Sequence, residues 1–219
     1  MERIKKQWED EELIMIGREE AVADFHHKAE HEKVLSLNGE WNFLYLKAPE
    51  YSPENFYEED FADDEWKKIP VPSCWQFHGY GQKHYTDVWY LFPINPPFVP
   101  SDNPSGIYRR SFHLKKKEEG KRYLLRFDGV SSAYDVWVNG QHLGYSKVSR
   151  LGASFDASAL LREGENRICV RVYRWSDGTY LECQDMWWFS GIFREVNLIS
   201  VPEKGIKDVA VYADYRHES

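Results

Sequence analysis

The feature that most narrows the fold is a succession of short runs in which apolar and polar residues alternate, each closed by a turn signal. Residues 133–146, AYDVWVNGQHLGYS, are the clearest case. Tyr134, Val136 and Val138 alternate with Asp135 and Trp137, and Asn139-Gly140 offers the positive φ of a type I′ hairpin turn. NGEWNFLYL opens on Asn38-Gly39 and sets Trp41, Phe43 and Tyr45 against Asn42 and Leu44. IYRRSFHL sets Tyr108, Arg110, Phe112 and Leu114 against Arg109, Ser111 and His113. KRYLLRFDGV, ICVRVYRW and SGIFREVNLISV read as further strands, and VAVYAD as a last short one. FDASALLREGEN reads as a short helical turn capped by Asp156 and stopped at Gly164. Many short strands without βαβ alternation predict an all-β chain folded as a jelly-roll sandwich.

The remaining segments are placed around these strands. Residues 1–33 are charged and polar and are expected to form an irregular N-terminal arm, with the sandwich spanning residues 34–219. Residues 49–66 are acidic and aromatic, a surface loop with one helical turn, and Lys115–Glu119 is a solvated hairpin tip. Residues 76–106 combine Gly79, Gly81, Pro93, Pro96, Pro97, Pro100, Pro104 and Gly106 with seven aromatic rings from Phe77 to Phe98. The rings argue for an ordered loop, and long ordered loops usually carry function.

Charge and cysteine usage exclude several classes. The formal net charge is −8 and no basic stripe runs among the aromatics, which argues against nucleic acid as a partner. Cys74, Cys169 and Cys183 are odd in number and form no paired spacing, so reduced thiols are expected. MERIKKQWEDEELIMIGREE lacks the apolar core of a secretory signal, and no run approaches the roughly 18 apolar residues of a membrane span. A cytoplasmic, soluble protein without membrane partners is the expectation. Aromatic residues make up 16% of the chain, 9 of them Trp, more than core packing alone calls for; a surface that handles sugars would use the surplus.

SLNGEW, VPSCWQFHGYGQKHYTDVWY, INPPFVPSDNPSGIYRRSF, FDGVSSAYDVWVNGQHLGYSKVSRLGASFDAS and RWSDGTYLECQDMWWFSGIFREVNL occur in this order. Together they resemble the N-terminal region of family 2 glycoside hydrolases, in the β-galactosidase branch, over about residues 8 to 215. The resemblance implies a non-catalytic domain shaped like galactose-binding domains. In the complete enzyme it would precede two immunoglobulin-like domains flanking a TIM barrel. That enzyme would be a homo-oligomer using sodium and magnesium, and would hydrolyse terminal β-D-galactosides with retention. Retention needs two carboxyls about 5–5.5 Å apart, at the C-terminal ends of barrel strands. This chain has no βα repeat, so it is expected to be inactive alone, to hold no cofactor of its own and to be a fragment of a larger enzyme.

Two positions match family residues that reach the active site. Asp185, in Cys183-Gln184-Asp185-Met186-Trp187, resembles an aspartate that contacts galactosyl hydroxyls and a bound sodium ion. A carboxylate accepts charge-assisted bonds from vicinal hydroxyls, and hard cations prefer oxygen. Asp87, in Tyr85-Thr86-Asp87, stands where β-galactosidases usually carry Asn. Asn donates and accepts whereas ionised Asp only accepts, and an added carboxylate raises neighbouring pKa values. Read without the resemblance, both are surface turn aspartates. Asp177-Gly178 reads as a turn, and Glu182 is a weaker candidate beside Asp185. His26, His27 and His31 lack ligand partners at metal spacing. His78 and His84 read as structural hydrogen-bonders, Arg150 and Arg194 as partners of loop-holding carboxylates, and Trp137 as core. The alternatives are a free-standing carbohydrate-binding module, or the same domain of a β-glucuronidase or β-mannosidase.

Overall fold

The computed structural model describes residues 4–22 and 33–215. Within these residues, fifteen strands, all paired antiparallel, build two main sheets and two small ribbons. The larger sheet has the spatial order β1 (Met15–Ile16), β10 (Gln141–Ser146), β9 (Ala133–Val138), β12 (Gly164–Tyr173), β6 (Ser105–Leu114), β3 (Gly39–Leu46) and β4 (Lys67–Val71). The smaller runs β11 (Ala153–Asp156), β7 (Lys121–Phe127), β15 (Val196–Pro202) and β2 (Lys33–Ser36). The ribbons pair β13 (Met186–Trp187) with β5 (Tyr85–Thr86), and β14 (Gly191–Ile192) with β8 (Val130–Ser131). One α-helix, α1 (Gly178–Glu182), follows β12. This is the expected jelly-roll sandwich, and the 133–146 hairpin turns at Asn139 (φ 48°) and Gly140 (φ 77°) as read from the sequence.

The alternation of each strand sets the core. Phe43, Tyr108, Val136 and Val170 of the larger sheet face Leu125, Phe127, Phe155 and Leu198 of the smaller one. The other face of the larger sheet is also covered. Ile107, Trp137 and Cys169 point outward and pack under Phe56, Tyr57 and Phe61 of the 49–66 segment, with Trp137 stacked on Tyr57 at 5.6 Å. That segment has the one helical turn expected of it, a 3-10 turn at Pro49–Tyr51, but it is a lid packed on the sheet where a surface loop was expected. Trp137 is core, but of this second, outer layer.

One local expectation holds and two are corrected. After Asp156 the chain makes the short capped turn that was expected: the Asp156 carboxylate accepts from Ser158 N (2.9 Å), Leu161 N closes back on Ala157 O (3.1 Å), and β12 begins at Gly164. SGIFREVNLISV is interrupted: Phe193 N and Arg194 N both donate to Gly129 O, which turns the chain between β14 and β15. VAVYAD forms no strand among the described residues, and Val209, Val211 and Tyr212 are exposed. Alternation supplies a side-chain pattern, but a strand also needs a neighbour's backbone groups.

The N-terminal segment ties the two sheets at one edge. β1 pairs with β10, Met15 opposite Ser146. Two residues on, Arg18 bridges to Phe155 of β11, and Glu19 N donates to Ser154 O at 2.8 Å. The crossing is made at Gly17 (φ +64°), where a Cβ would lie 2.6 Å from Leu143 O. Gly17→Ala is therefore expected to destabilise the fold by about 1–3 kcal/mol, from positive-φ strain and overpacking. Urea denaturation of the two proteins reads this; equal midpoints would show that the strap contributes nothing.

Candidate functional site

At one end of the sandwich the 76–104 loop and the 175–190 segment meet in the β5–β13 ribbon, 100 residues apart in sequence. The register pairs Thr86 with Met186 and Tyr85 with Trp187. One step further along each strand brings Asp87 and Asp185 to the same end of the ribbon. Because side chains alternate across a strand, Tyr85, Asp87, Asp185 and Trp187 share one face, and Thr86 and Met186 share the other. The first four are exposed. The structure thus unites both sequence-predicted residues on one surface.

The buried face explains why the ribbon holds its place. Trp188 is buried, donates its indole N–H to Thr86 Oγ1 (2.5 Å) and packs against Trp175 and Tyr90. Its backbone N–H donates to His84 O at 2.9 Å. The Pro-rich loop is pinned in the same manner: Tyr90 donates to Tyr180 O (2.6 Å) and Tyr180 to Phe98 O (2.5 Å). Each phenol gives its ring to the apolar cluster and its hydroxyl to a backbone carbonyl.

On the open face Tyr85 donates a short hydrogen bond to Asp185 Oδ1, and its ring lies 5.6 Å from Trp187. Trp187 in turn stacks on Phe189 at 5.6 Å with the planes 8° apart, and Phe189 meets Phe77. The bond to Asp185 first, then burial, then the charges of Asp185 and Asp87 raise the Tyr85 phenol above its ordinary pKa. Tyr85 is the site residue that the sequence reading missed. The signal was the i, i+2 spacing of Tyr85 and Asp87, which puts them on one face of any strand. Asp87 Oδ1 accepts from Val88 N at 3.0 Å, so part of its capacity serves its own turn.

The weaker candidates lie elsewhere. Asp177 is the N-cap of α1, accepting from Gly178 N (2.8 Å), and pairs with buried Lys147. Glu182 faces inward and accepts from Ser149 Oγ at 2.5 Å. His78 bonds Ser73 Oγ (2.5 Å) and His84 bonds Gln82 Oε1 (3.1 Å), the structural roles expected of them. Arg150 and Arg194 both lie over the Phe193 ring, and Arg194 donates to Arg150 O (2.8 Å); the expected carboxylate partners give way to a ring and a carbonyl that are nearer. His26, His27 and His31 fall outside the described residues. Among those described, no three His, Cys, Asp or Glu are grouped to hold a metal, and no helix is long and apolar enough to cross a membrane. The cysteines are free, and burial pushes the Cys74 thiol up to about 11 and Cys169 up to about 12.

A two-sheet antiparallel sandwich with this loop-built face is a jelly-roll β-sandwich domain. Solved structures bear out the fold: a Bifidobacterium dentium β-glucuronidase complexed with coumarin-3-O-glucuronide has a TM-score of 0.58 at 21% identity over 80% of this chain and 31% of that one. A Faecalibacterium prausnitzii β-glucuronidase gives 0.60 at 18% identity over 82% and 33%. The chain belongs to the family described as glycosyl hydrolases family 2, sugar binding domain, which matches residues 34–202. Among curated relatives, the β-galactosidase of Alteromonas mediterranea is 50% identical over 87% of this chain and 18% of its own length. Those of Vibrio vulnificus strain YJ016 (44%) and Pseudoalteromonas haloplanktis (43%) match over 96% of this chain and 21% of theirs. The chain thus spans about a fifth of the length of these relatives.

Burial raises the Glu182 carboxyl above its ordinary pKa, against the bonds from Ser149. A group with a raised folded-state pKa adds no penalty below the unfolded value and costs stability as pH rises through the folded one. Glu182→Gln is therefore expected to gain stability over the parent at pH 7 and to lose that advantage near pH 4. Denaturant midpoints at the two pH values test this; a constant difference would mean that Glu182 titrates alike in both states.

Proposed function

We propose that this domain is the non-catalytic N-terminal sandwich of a retaining β-galactosidase and lends its ribbon face to the galactosyl site. The observation that carries the reading is the placement of Asp185 and Asp87 on one exposed face, beside aromatic rings. Relatives at 43–50% identity named β-galactosidase support the substrate class, whereas the glucuronidase structures, at 18–21%, speak for the fold. The carboxyl pair that cleaves the glycosidic bond lies in the remainder of the enzyme, a homo-oligomer in this reading, so the domain alone turns over nothing.

The chemistry of the face suits this role. Tyr85 fixes Asp185 through Oδ1 and leaves Oδ2 for a sugar hydroxyl or a hard monovalent cation such as sodium. Among the described residues no three His, Cys, Asp or Glu are grouped to hold a metal, so a sodium ion would draw its other oxygen ligands from the rest of the enzyme. Magnesium is assigned to the complete enzyme and not to this face. Asp87 adds a second acceptor where the family pattern has an amide, so the face as a whole accepts hydrogen bonds and favours a polyhydroxylated ligand.

In the complete enzyme, Asp185→Asn removes a charged acceptor for which about 1.5–3 kcal/mol is typical. The expected loss in kcat/KM on nitrophenyl galactoside is roughly 10- to 100-fold. Parallel assays on the glucuronide and mannoside check the substrate class. Full activity of Asp185→Asn, or preference for another glycoside, would sink the reading. Tight binding of galactose by the isolated domain would instead make it a free-standing carbohydrate-binding module.

A further inference from the structure

Beneath the ribbon, helix α1 is held at both ends by one three-residue stretch that follows β10. At its start, Lys147 Nζ lies 2.8 Å from Asp177 Oδ2, with both side chains buried, 6% and 9% exposed. Asp177 Oδ1 meanwhile caps the helix at Gly178 N. At its end, Ser149 Oγ donates to Glu182 Oε2 at 2.5 Å. Asp185 follows Glu182 by three residues, so the path from the clamp to the exposed carboxylate is short.

The N-terminal segment closes on the same point. Lys147 Nζ also donates to Asp10 O (2.6 Å), Lys147 N to Ile14 O (3.3 Å), and Asp177 N to Trp8 O (2.9 Å). Trp8 stacks on Tyr173, the last residue of β12, with ring centroids 4.5 Å apart. A buried ammonium is tolerated only when paired and hydrogen-bonded. Here its partners come from two segments: loss of Asp177 would strand the charge, and loss of Asp10 O would leave the ion pair short of a hydrogen bond. Docking of residues 8–14 and seating of α1 are energetically one event.

We infer that Lys147 is a positioning residue: it couples the N-terminal segment to α1 and, through α1, fixes where the ribbon presents Asp185. The inference rests on the reading of Asp185 given under Proposed function. It requires no contact between Lys147 and the ligand. Its signature is weakened substrate binding with the chemical step preserved, together with loosening confined to α1 and the ribbon.

The test uses the complete enzyme carrying Lys147→Met, with Lys147→Arg as the conservative variant. Kinetics on nitrophenyl galactoside are read beside hydrogen exchange of residues 178–187 and of β7 and β15. For Lys147→Met we expect KM to rise roughly five- to twentyfold with kcat within twofold, and faster exchange at 178–187 but not in β7 or β15. Lys147→Arg, which keeps a charge and donors for both Asp177 and Asp10, should recover most of both effects. If Lys147→Met fails to fold, Asp177→Asn is read by the same criteria, because Asn still caps the helix but cannot form the ion pair. Unchanged exchange at 178–187, or an unchanged KM on a galactoside-active enzyme, overturns the inference. Localised loosening in an enzyme whose parent ignores galactosides upholds the coupling and overturns the functional reading instead.

Discussion

The structure depends on a charge buried in the wrong place for an ordinary sandwich. Arg109 sits mid-strand in β6, on the outward face of the larger sheet, with its side chain fully buried. Its Nε is 3.0 Å from Asp63 Oδ2, and its other nitrogens donate to Phe56 O and to Glu58 O (2.8 Å). An unpaired guanidinium there would be strongly destabilising, so the 49–66 segment has to fold back over the sheet and bring Asp63 with it. That one requirement converts a half-solvated sheet into a central layer. It explains why Ile107, Trp137 and Cys169 are apolar at positions where an exposed face would be polar.

Once the central sheet is covered on both sides, the loops at the ribbon end present exposed surface, Tyr85, Asp87, Asp185 and Trp187 among it. The 76–104 loop has almost no ladder hydrogen bonds of its own and is held by rings with polar tips. Tyr90, Tyr180 and Trp188 each bury an aromatic body in one cluster and spend their side-chain donor on tying the loop to α1 and β13: Tyr90 to Tyr180 O, Tyr180 to Phe98 O and Trp188 to Thr86 Oγ1. This accounts for the surplus of Trp and Tyr in the sequence more directly than a sugar platform does. Outside that cluster Trp187 stacks on Phe189 and Phe77 meets Phe189 at a tilt, beside the two carboxylates.

The strands were legible because alternation is a local signal, and β3, β6, β9 and β12 lie where Trp41, Tyr108, Val136 and Val170 said they would. Burial of both faces was not legible, since Arg109 and Asp135 read as outward, solvated residues until a distant segment covers them. The missing strand at VAVYAD failed for the converse reason: pattern without a partner. Asp185 and Asp87 were legible as separate residues only through family resemblance. Their union depends on a two-residue ladder between segments a hundred positions apart, and no periodicity reports such a pairing. Tyr85 was lost with it, because its hydroxyl acquires a role only when the ribbon register delivers Asp185.

Two carboxylates at one end of a small ribbon repel, and a fold with no use for them could relieve this with one amide. Their proximity is tolerable here because both are solvated, where charge–charge energies are small. Tyr85 also neutralises part of the field by staying protonated and donating to Asp185. Solvation is what a closing partner would remove. As water is displaced, each carboxylate must find a hydroxyl, a cation or a proton in its place, and the cost of finding none rises steeply as the local dielectric falls. If the face is covered as proposed, it would favour ligands rich in donors. A rigid seat is needed for such selection to be sharp. The clamp on α1 and the Trp188 anchor supply it from opposite sides of Asp185.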